Sequence, residues 1–136
     1  MIVQGQEVVD WVVEGTGTLL SARAQGIGLW LDNKLVAGAA YDMFSGQNIF
    51  AHQRIEGRTN REYWIAITDY PFNALGCNRV TVIIDDSNEK SMNIVKHMGF
   101  VEEGRLHGAA EKGNDMVFMV LWWQNCKMLN WKAISC

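Results

Sequence analysis

Hydrophobic positions along this chain form runs of two kinds, continuous and helically spaced, and the stretch Arg79–Arg105 contains both. In Arg79–Ile84 the residues Val80, Thr81, Val82, Ile83 and Ile84 follow one another without a charged interruption, the pattern of a strand covered on both faces. Asp85-Asp86-Ser87-Asn88 stops the run. Asp86 or Ser87 is placed to N-cap the next element, and Asp86 with Glu89 approximates a capping box. Met92, Ile94, Val95 and Met98 then recur at helical spacing, with Glu89, Lys90, Lys96 and His97 toward water. Gly99 suits a left-handed helix stop, and Phe100 is placed to touch Val95 as in a Schellman ending. The predicted order is strand, polar loop, capped helix, glycine stop, strand.

The remaining runs are shorter. Val8, Trp11 and Val12 share one helical face within residues 5–14, and Gly15-Thr16-Gly17 breaks that helix. The Gly-Thr-Gly triplet is too short for a phosphate loop, and no Lys-Ser/Thr comes after it. Thr18–Gln25 reads as a second short helix ended by Gly26. Ile27–Asp32 and Leu35–Phe44 read as strands joined at Asn33-Lys34, and Asn48–Ile55 as a third strand after the turn Ser45-Gly46-Gln47. Tyr63, Trp64, Ile67, Tyr70 and Leu75 follow helical spacing, with a kink or break expected near Tyr70 because Pro71 lacks a backbone donor. Trp122–Cys136 is apolar on one side through Trp123, Met128, Leu129, Trp131 and Ile134. Trp122 and Trp123 either plug the chain's own core, the first expectation, or cover a partner in a homodimer.

Composition narrows the classes. A chain of 136 residues with 49% hydrophobic and 20% charged residues has the size and make-up of one globular domain, 1–136. A net charge of −3 argues against a generic nucleic-acid binder. Cys77, Cys126 and Cys136 are odd in number and lack CxxC spacing, as for reduced thiols in a cytoplasmic protein. The start of the chain shows no basic segment before an apolar run, so neither secretion nor membrane insertion is expected. No His, Cys and carboxylate set has metal-ligand spacing.

The string Ile84-Asp85-Asp86-Ser87-Asn88, the pair Gly99-Phe100 and the string Glu103-Gly104-Arg105, continued by Asp115–Leu121, resemble the second half of a GNAT-type (GCN5-related) N-acetyltransferase. The match covers Leu75 to Trp122 and is closest in style to the branch that acetylates protein N-termini or small-molecule amines. Compact forms of this kind also resemble phage or prophage products. The resemblance implies a mixed α/β (α+β) fold, with a central, mostly antiparallel, splayed sheet flanked by helices. Its N-terminus is abbreviated, because the residues before Ile27 barely hold the family's opening strand and two helices. It implies acetyl-CoA as co-substrate, lying between the strands that end near Ile55 and Ile84, and a primary amine as acceptor.

The same resemblance implies the site residues. The family's diphosphate pattern Arg/Gln-x-x-Gly-x-Gly/Ala falls on Arg54-Ile55-Glu56-Gly57-Arg58-Thr59, with Thr59 in place of a small residue. Ile55, Gly57, Arg58, Thr59, Asn60 and Arg61 are thereby the candidates for the cofactor's diphosphate, a group that helix N-termini favour. Asn88 matches the asparagine that contacts the pantetheine arm, and Ser91 lies one turn further on the same face. The tyrosine that many family members place seven residues after that asparagine is Val95 here, which leaves Ser91, Tyr63 or water as the acid. His52 and Glu56 are the candidates for the base, and strand alternation puts His52, Arg54 and Glu56 on one side. The alternative is a non-catalytic binding or structural module on the same fold, for example in a phage assembly. The clipped front, Val95 and the Trp-rich tail motivate it.

Overall fold

The computed structural model describes residues 1–129, so Trp131, Ile134 and Cys136 lie outside the described residues. Seven strands form one sheet in the order β1-β2-β3-β4-β5-β7-β6: β1 (Ile2–Gln4), β2 (Gln25–Leu31), β3 (Lys34–Asp42), β4 (Asn48–Ile55), β5 (Arg79–Asp85), β6 (Val101–Leu106) and β7 (Met116–Trp122). All neighbours are antiparallel except β4 and β5. The helices are α1 (Gln6–Thr16), α2 (Arg61–Asp69) and α3 (Glu89–Met98).

Two cores flank the sheet. α1 lays Val8, Val9 and Val12 on one face, against Ala24, Leu35 and Ala40. The approach is close because β3 offers no side chain at Gly38, where a Cβ would sit 3.0 Å from Val8 Cγ1. The larger core fills the other face, where Tyr63 and Ile67 of α2 and Met92 of α3 meet Val80, Ile84, Val117, Met119 and Leu121.

The β4–β5 pair decides the shape. It is hydrogen-bonded in register only at Asn48↔Arg79, Ile49↔Val80 and Phe50↔Thr81. Beyond those positions β4 follows β3 as far as Ala37↔Ile55, while β5 follows β7 as far as Asp85↔Met116. The two half-sheets therefore part, as the resemblance implied.

Several local expectations need correction. Thr18–Gln25 is not a helix. Asp42 accepts the Ser21 amide at 2.7 Å and the Ser21 hydroxyl at 2.6 Å, tying the segment down as a loop, and β2 already begins at Gln25. So short a segment has little to set against helix nucleation. The hairpin turn is Asp32-Asn33 rather than Asn33-Lys34; both residues have positive φ (53° and 64°), as a two-residue turn matched to strand twist requires. A short strand, β1, precedes α1. Neither Asp86 nor Ser87 caps α3. Asp85 Oδ1 takes the Ser87 amide and hydroxyl and Asp86 faces Arg105, so the cap falls to Asn88, whose Oδ1 accepts the Ser91 amide at 3.2 Å. Near Tyr70 the irregularity expected from Pro71 is present, and its form is a π-helical turn, Tyr70–Ala74, that leaves the proline without a required donor. Trp122 and Trp123 do not plug the core, at 40% and 48% exposed. Their places inside are taken by Cys126, Met128 and Leu129.

The end of α3 agrees with expectation. Gly99 (φ 111°) donates to Lys96 O, and Phe100 donates to Val95 O at 3.0 Å, the two bonds of a Schellman stop. A Cβ at Gly99 would lie 2.5 Å from the Asn125 carbonyl oxygen, a backbone atom with no freedom to swing away. Gly99→Ala is therefore expected to cost about 1–3 kcal/mol, read by urea denaturation with an unchanged m-value.

Candidate active site

Where β4 and β5 part there is a cleft of about 580 Å³. β4 lines it with Ala51, His52, Gln53 and Ile55, β5 with Val82 to Asp85, and α3 with Asn88, Ser91, Ile94, Val95 and Met98. Tyr41, Thr68 and Pro71 close its depth, and Gly15, Thr16 and Thr18 at the end of α1 stand at its edge.

The orientation of the β4 backbone is fixed by two hydrogen bonds. Glu56 N–H donates to Val36 O on β3 at 2.8 Å, and Gln47 O accepts Arg79 N–H of β5 at 3.2 Å. Backbone groups alternate in direction along a strand, so even-numbered residues of β4 face β3 and odd-numbered ones face β5. After Phe50 the β5 side is empty, and the amides and carbonyls of Ala51, Gln53 and Ile55 point into the cleft. A buried ladder edge of this kind needs partners. A ligand carrying amides along an extended arm supplies them.

Side chains sort onto two faces. The register Phe50↔Thr81 sets His52 on the same side of the sheet as Ile83 and Asp85, the side of α1. Gln53 projects to the opposite side, where its Oε1 accepts the Tyr63 hydroxyl at 2.9 Å.

His52 is half-buried in the cleft wall. Burial lowers its imidazole pKa below the ordinary value, against the opposing pull of Asp42. The ring is neutral near pH 7 and able to accept a proton. Asp42 is buried, which by itself raises a carboxyl; its bonds from Ser21 and the Met43 amide and the nearness of His52 outweigh that and hold it ionised. Sequence reasoning missed Asp42, and its signal was a charged residue at the end of an otherwise apolar strand.

The other candidates divide. Asn88 and Ser91 line the cleft as expected, although Asn88 commits its oxygen to the α3 cap and keeps only its amide for a ligand. Ile55 lines it too. Gly57, Arg58, Thr59, Asn60 and Arg61 do not line it and stand beyond the end of β4, at the start of α2. There Asn60 Oδ1 caps the helix by accepting the Tyr63 amide at 2.9 Å. Thr59 turns its hydroxyl to the Trp64 indole at 3.0 Å, away from the crowding that the substitution suggested. Gly57 lies on Val36, 3.0 Å from where its Cβ would stand, so β3 alone accounts for a glycine there.

Glu56 is exposed, ion-paired to Arg54 at 3.0 Å, and is not a cleft residue. Arg54 itself reaches back to Trp11, donating to its carbonyl at 2.8 Å and lying 4.1 Å over its ring. Tyr63 is not among the residues that line the cleft. It is fully buried, its hydroxyl is spent on Gln53, and burial drives its pKa well above the ordinary value. Val95 does line the cleft at the position the family gives to tyrosine, and Tyr41, which also faces it, donates its hydroxyl to Ile67 O.

These couplings predict an NMR titration. The His52 ring should titrate below the usual value of about 6.5. Asp42→Asn removes the charge that favours imidazolium, so it should move that midpoint lower still. An upward movement would refute the coupling.

No protein-family model matches the chain, and no curated protein sequence matches it significantly. Solved structures do. Over 97% of this chain and 99% of the other, it superposes on a variant of the spermidine N-acetyltransferase SpeG from Vibrio cholerae at TM-score 0.75 and 14% identity. A second variant, of the spermidine/spermine N-acetyltransferase SpeG from the same organism, matches over 96% of this chain and 98% of that one, at TM-score 0.71 and 15% identity. The ribosomal-protein-S5-alanine acetyltransferase from Vibrio fischeri matches over 73% of this chain and 61% of that one, at TM-score 0.61 and 18% identity. These are bacterial enzymes and lend no support to the phage-like reading. Seven strands in this order, parting between β4 and β5, make the fold of the chain that of the GNAT-type N-acetyltransferases.

Proposed function

We propose that the chain is an N-acetyltransferase that moves the acetyl group of acetyl-CoA to a primary amine by direct attack in a ternary complex. The observation that carries this reading is the open edge of β4. Its odd-numbered amides and carbonyls face a cleft between parallel strands that pair at only one end. Those groups match the amide-bearing pantetheine arm, with Asn88 and Ser91 opposite. The start of α2 at Gly57–Arg61 supplies helix-terminal amides and the charges of Arg58 and Arg61 for the diphosphate. The similar solved enzymes act, by name, on spermidine or on a protein alanine, and both acceptors are amines.

In this reading the amine nitrogen attacks the thioester carbonyl carbon and the carbon–sulfur bond breaks. His52 accepts the proton that the amine loses. The sulfur departs as thiolate and takes its proton from Ser91 or from water. A thiol of pKa about 8.5 is a tolerable leaving group without a strong acid, which accommodates Val95. No helix among the described residues is long and apolar enough to cross a membrane, and we place the activity in the cytoplasm.

Val95 also favours a second reading, a non-catalytic module that retains the fold. Calorimetry and turnover separate the two. Acetyl-CoA should bind with measurable heat and raise Tm, and an amine panel should be acetylated. The acid limb of kcat against pH should fall below the ordinary histidine value and vanish in His52→Gln, with kcat reduced about 10²–10⁴-fold, the usual worth of a general base. Binding without turnover would favour a binding module; no heat and no Tm shift at millimolar acetyl-CoA would remove the transferase reading and leave a structural module.

A further inference from the structure

No helix among the described residues packs on the α1 side of β5, β7 and β6. α1 packs on β1 to β4. On the same side of β5, β7 and β6, the residues Ile83, Met116, Phe118, Val120, Val101 and Leu106 belong to neither hydrophobic core. Register makes them one surface. Ile83 pairs with Phe118, Val101 with Val120 and Leu106 with Met116, the bulge at Glu102/Gly104 having brought Leu106 onto this side. Val101 and Leu106 are each 51% exposed, Phe118, Ile83 and Met116 are half-buried, and Val120 is buried. The chain segment from which a second helix was expected to come is the Gly17–Ala24 loop, pinned at Ser21 to Asp42 and leaving this half of the sheet bare.

The surface is continuous with the cleft. Ile83 and Met116 line both, and His52 stands on the same side of the sheet. Its charges are sparse. Arg79 at the closed end is occupied by Glu103 and lies over the Trp122 ring, 5.3 Å from its centre. Asp85 at the open end is held ionised by the Ser87 amide and hydroxyl and by Lys112. A floor this apolar, with Glu103 committed to Arg79 and Asp85 at its open margin, suits a single ammonium on an apolar body. It offers nothing to satisfy a chain of several cations.

We infer that the acceptor is a primary amine carried on an apolar or aromatic body, seated on the bare face of β5, β7 and β6 with its nitrogen at His52. This inference rests on the proposed acetyl transfer and names the acceptor class of that same site. The body lies on Phe118, flanked by Val101 and Leu106, and enters past Ile83 and Met116. Burial of such a body gains affinity in proportion to the apolar area covered. A polyamine gains almost none there.

The test uses the full chain with saturating acetyl-CoA and four acceptors: 2-phenylethylamine, octylamine, putrescine and spermidine. The first two should show kcat/KM at least tenfold above the last two. Phe118→Ser and the exposed Leu106→Glu should each raise KM for 2-phenylethylamine at least fivefold while acetyl-CoA affinity by calorimetry stays unchanged. The methyl resonances of Met116 and Ile83 should shift on adding 2-phenylethylamine without acetyl-CoA, a readout that survives even if turnover is absent. Equal or better use of spermidine, or methyl resonances unmoved by the aromatic amine, overturns the inference. So do resonances that move with protein concentration instead, which would assign the face to a second copy of the chain.

Discussion

The structure depends on a hydrogen-bond ladder that stops early. β4 and β5 are the one parallel pair among the described strands, and they hold each other only through Phe50 and Thr81. A polar knot fixes this end. Asn48 Oδ1 accepts from the Arg79 guanidinium at 3.1 Å and from the Thr81 hydroxyl at 2.6 Å, and Arg79 continues to Glu103 on β6. Past the knot each strand has a stronger claim on it from its outer neighbour. β4 is laddered to β3 along its length and β5 to β7 over seven residue pairs, from Arg79↔Trp122 to Asp85↔Met116. Adjacent strands rotate by about 20–25° on average, so two half-sheets anchored to different helices diverge once nothing clamps them. The separation exposes backbone donors and acceptors that an ordinary sheet would have satisfied, each costing about 1–3 kcal/mol if buried unmet. Water or an amide-bearing ligand offsets that cost, and this links the topology to binding.

The same division explains how the helices share the work. α1 attends to the first half of the sheet, entering so closely at Gly38 that a methyl group there would press on Val8. Arg54 then locks α1 to β4 from the side, stacked on Trp11 and bonded to its carbonyl. Arg54 opens the sequence pattern associated with diphosphate, yet its guanidinium is held at α1 and Glu56. In the proposed complex, binding at the start of α2 would fall to backbone amides and to Arg58 and Arg61, while Arg54 holds the wall in place.

The fold was legible where local and global signals agree. Arg79–Ile84, Asn88 to Met98 and Gly99-Phe100 are each specified by neighbours in sequence: continuous β-branched residues, a capped amphipathic run, a left-handed stop. Asn48–Ile55 likewise matched its strand. The features that escaped were decided across the chain. Thr18–Gln25 has helical composition, but Ser21 is captured by Asp42, 21 residues away. Tyr63 looked like a free phenol until Gln53 on β4 took its hydroxyl. Glu56 and His52 share strand parity, which is all that spacing can say; only the end of the β4–β3 ladder shows that the cleft stops short of Glu56. Trp122 and Trp123 read as core by composition, whereas the sheet face they border has no helix to complete a core.

The bare half-sheet and the valine at position 95 have a common physical meaning. A catalyst that protonates its leaving group needs a donor held against the sulfur, and here α3 brings Lys90, Ser91, Ile94, Val95 and Met98 to the cleft, with no phenol among them. Compared with a phenol, the isopropyl group of Val95 offers no donor at that wall. Burial of His52 in the cleft wall favours its neutral ring. On the β5 side Ile83 and Met116 add apolar lining, which disfavours acceptors that must stay hydrated. In the proposed reaction these apolar patches point the same way as the open sheet face: they would shift the burden of rate from acid catalysis to positioning, and favour an acceptor that loses little by leaving water.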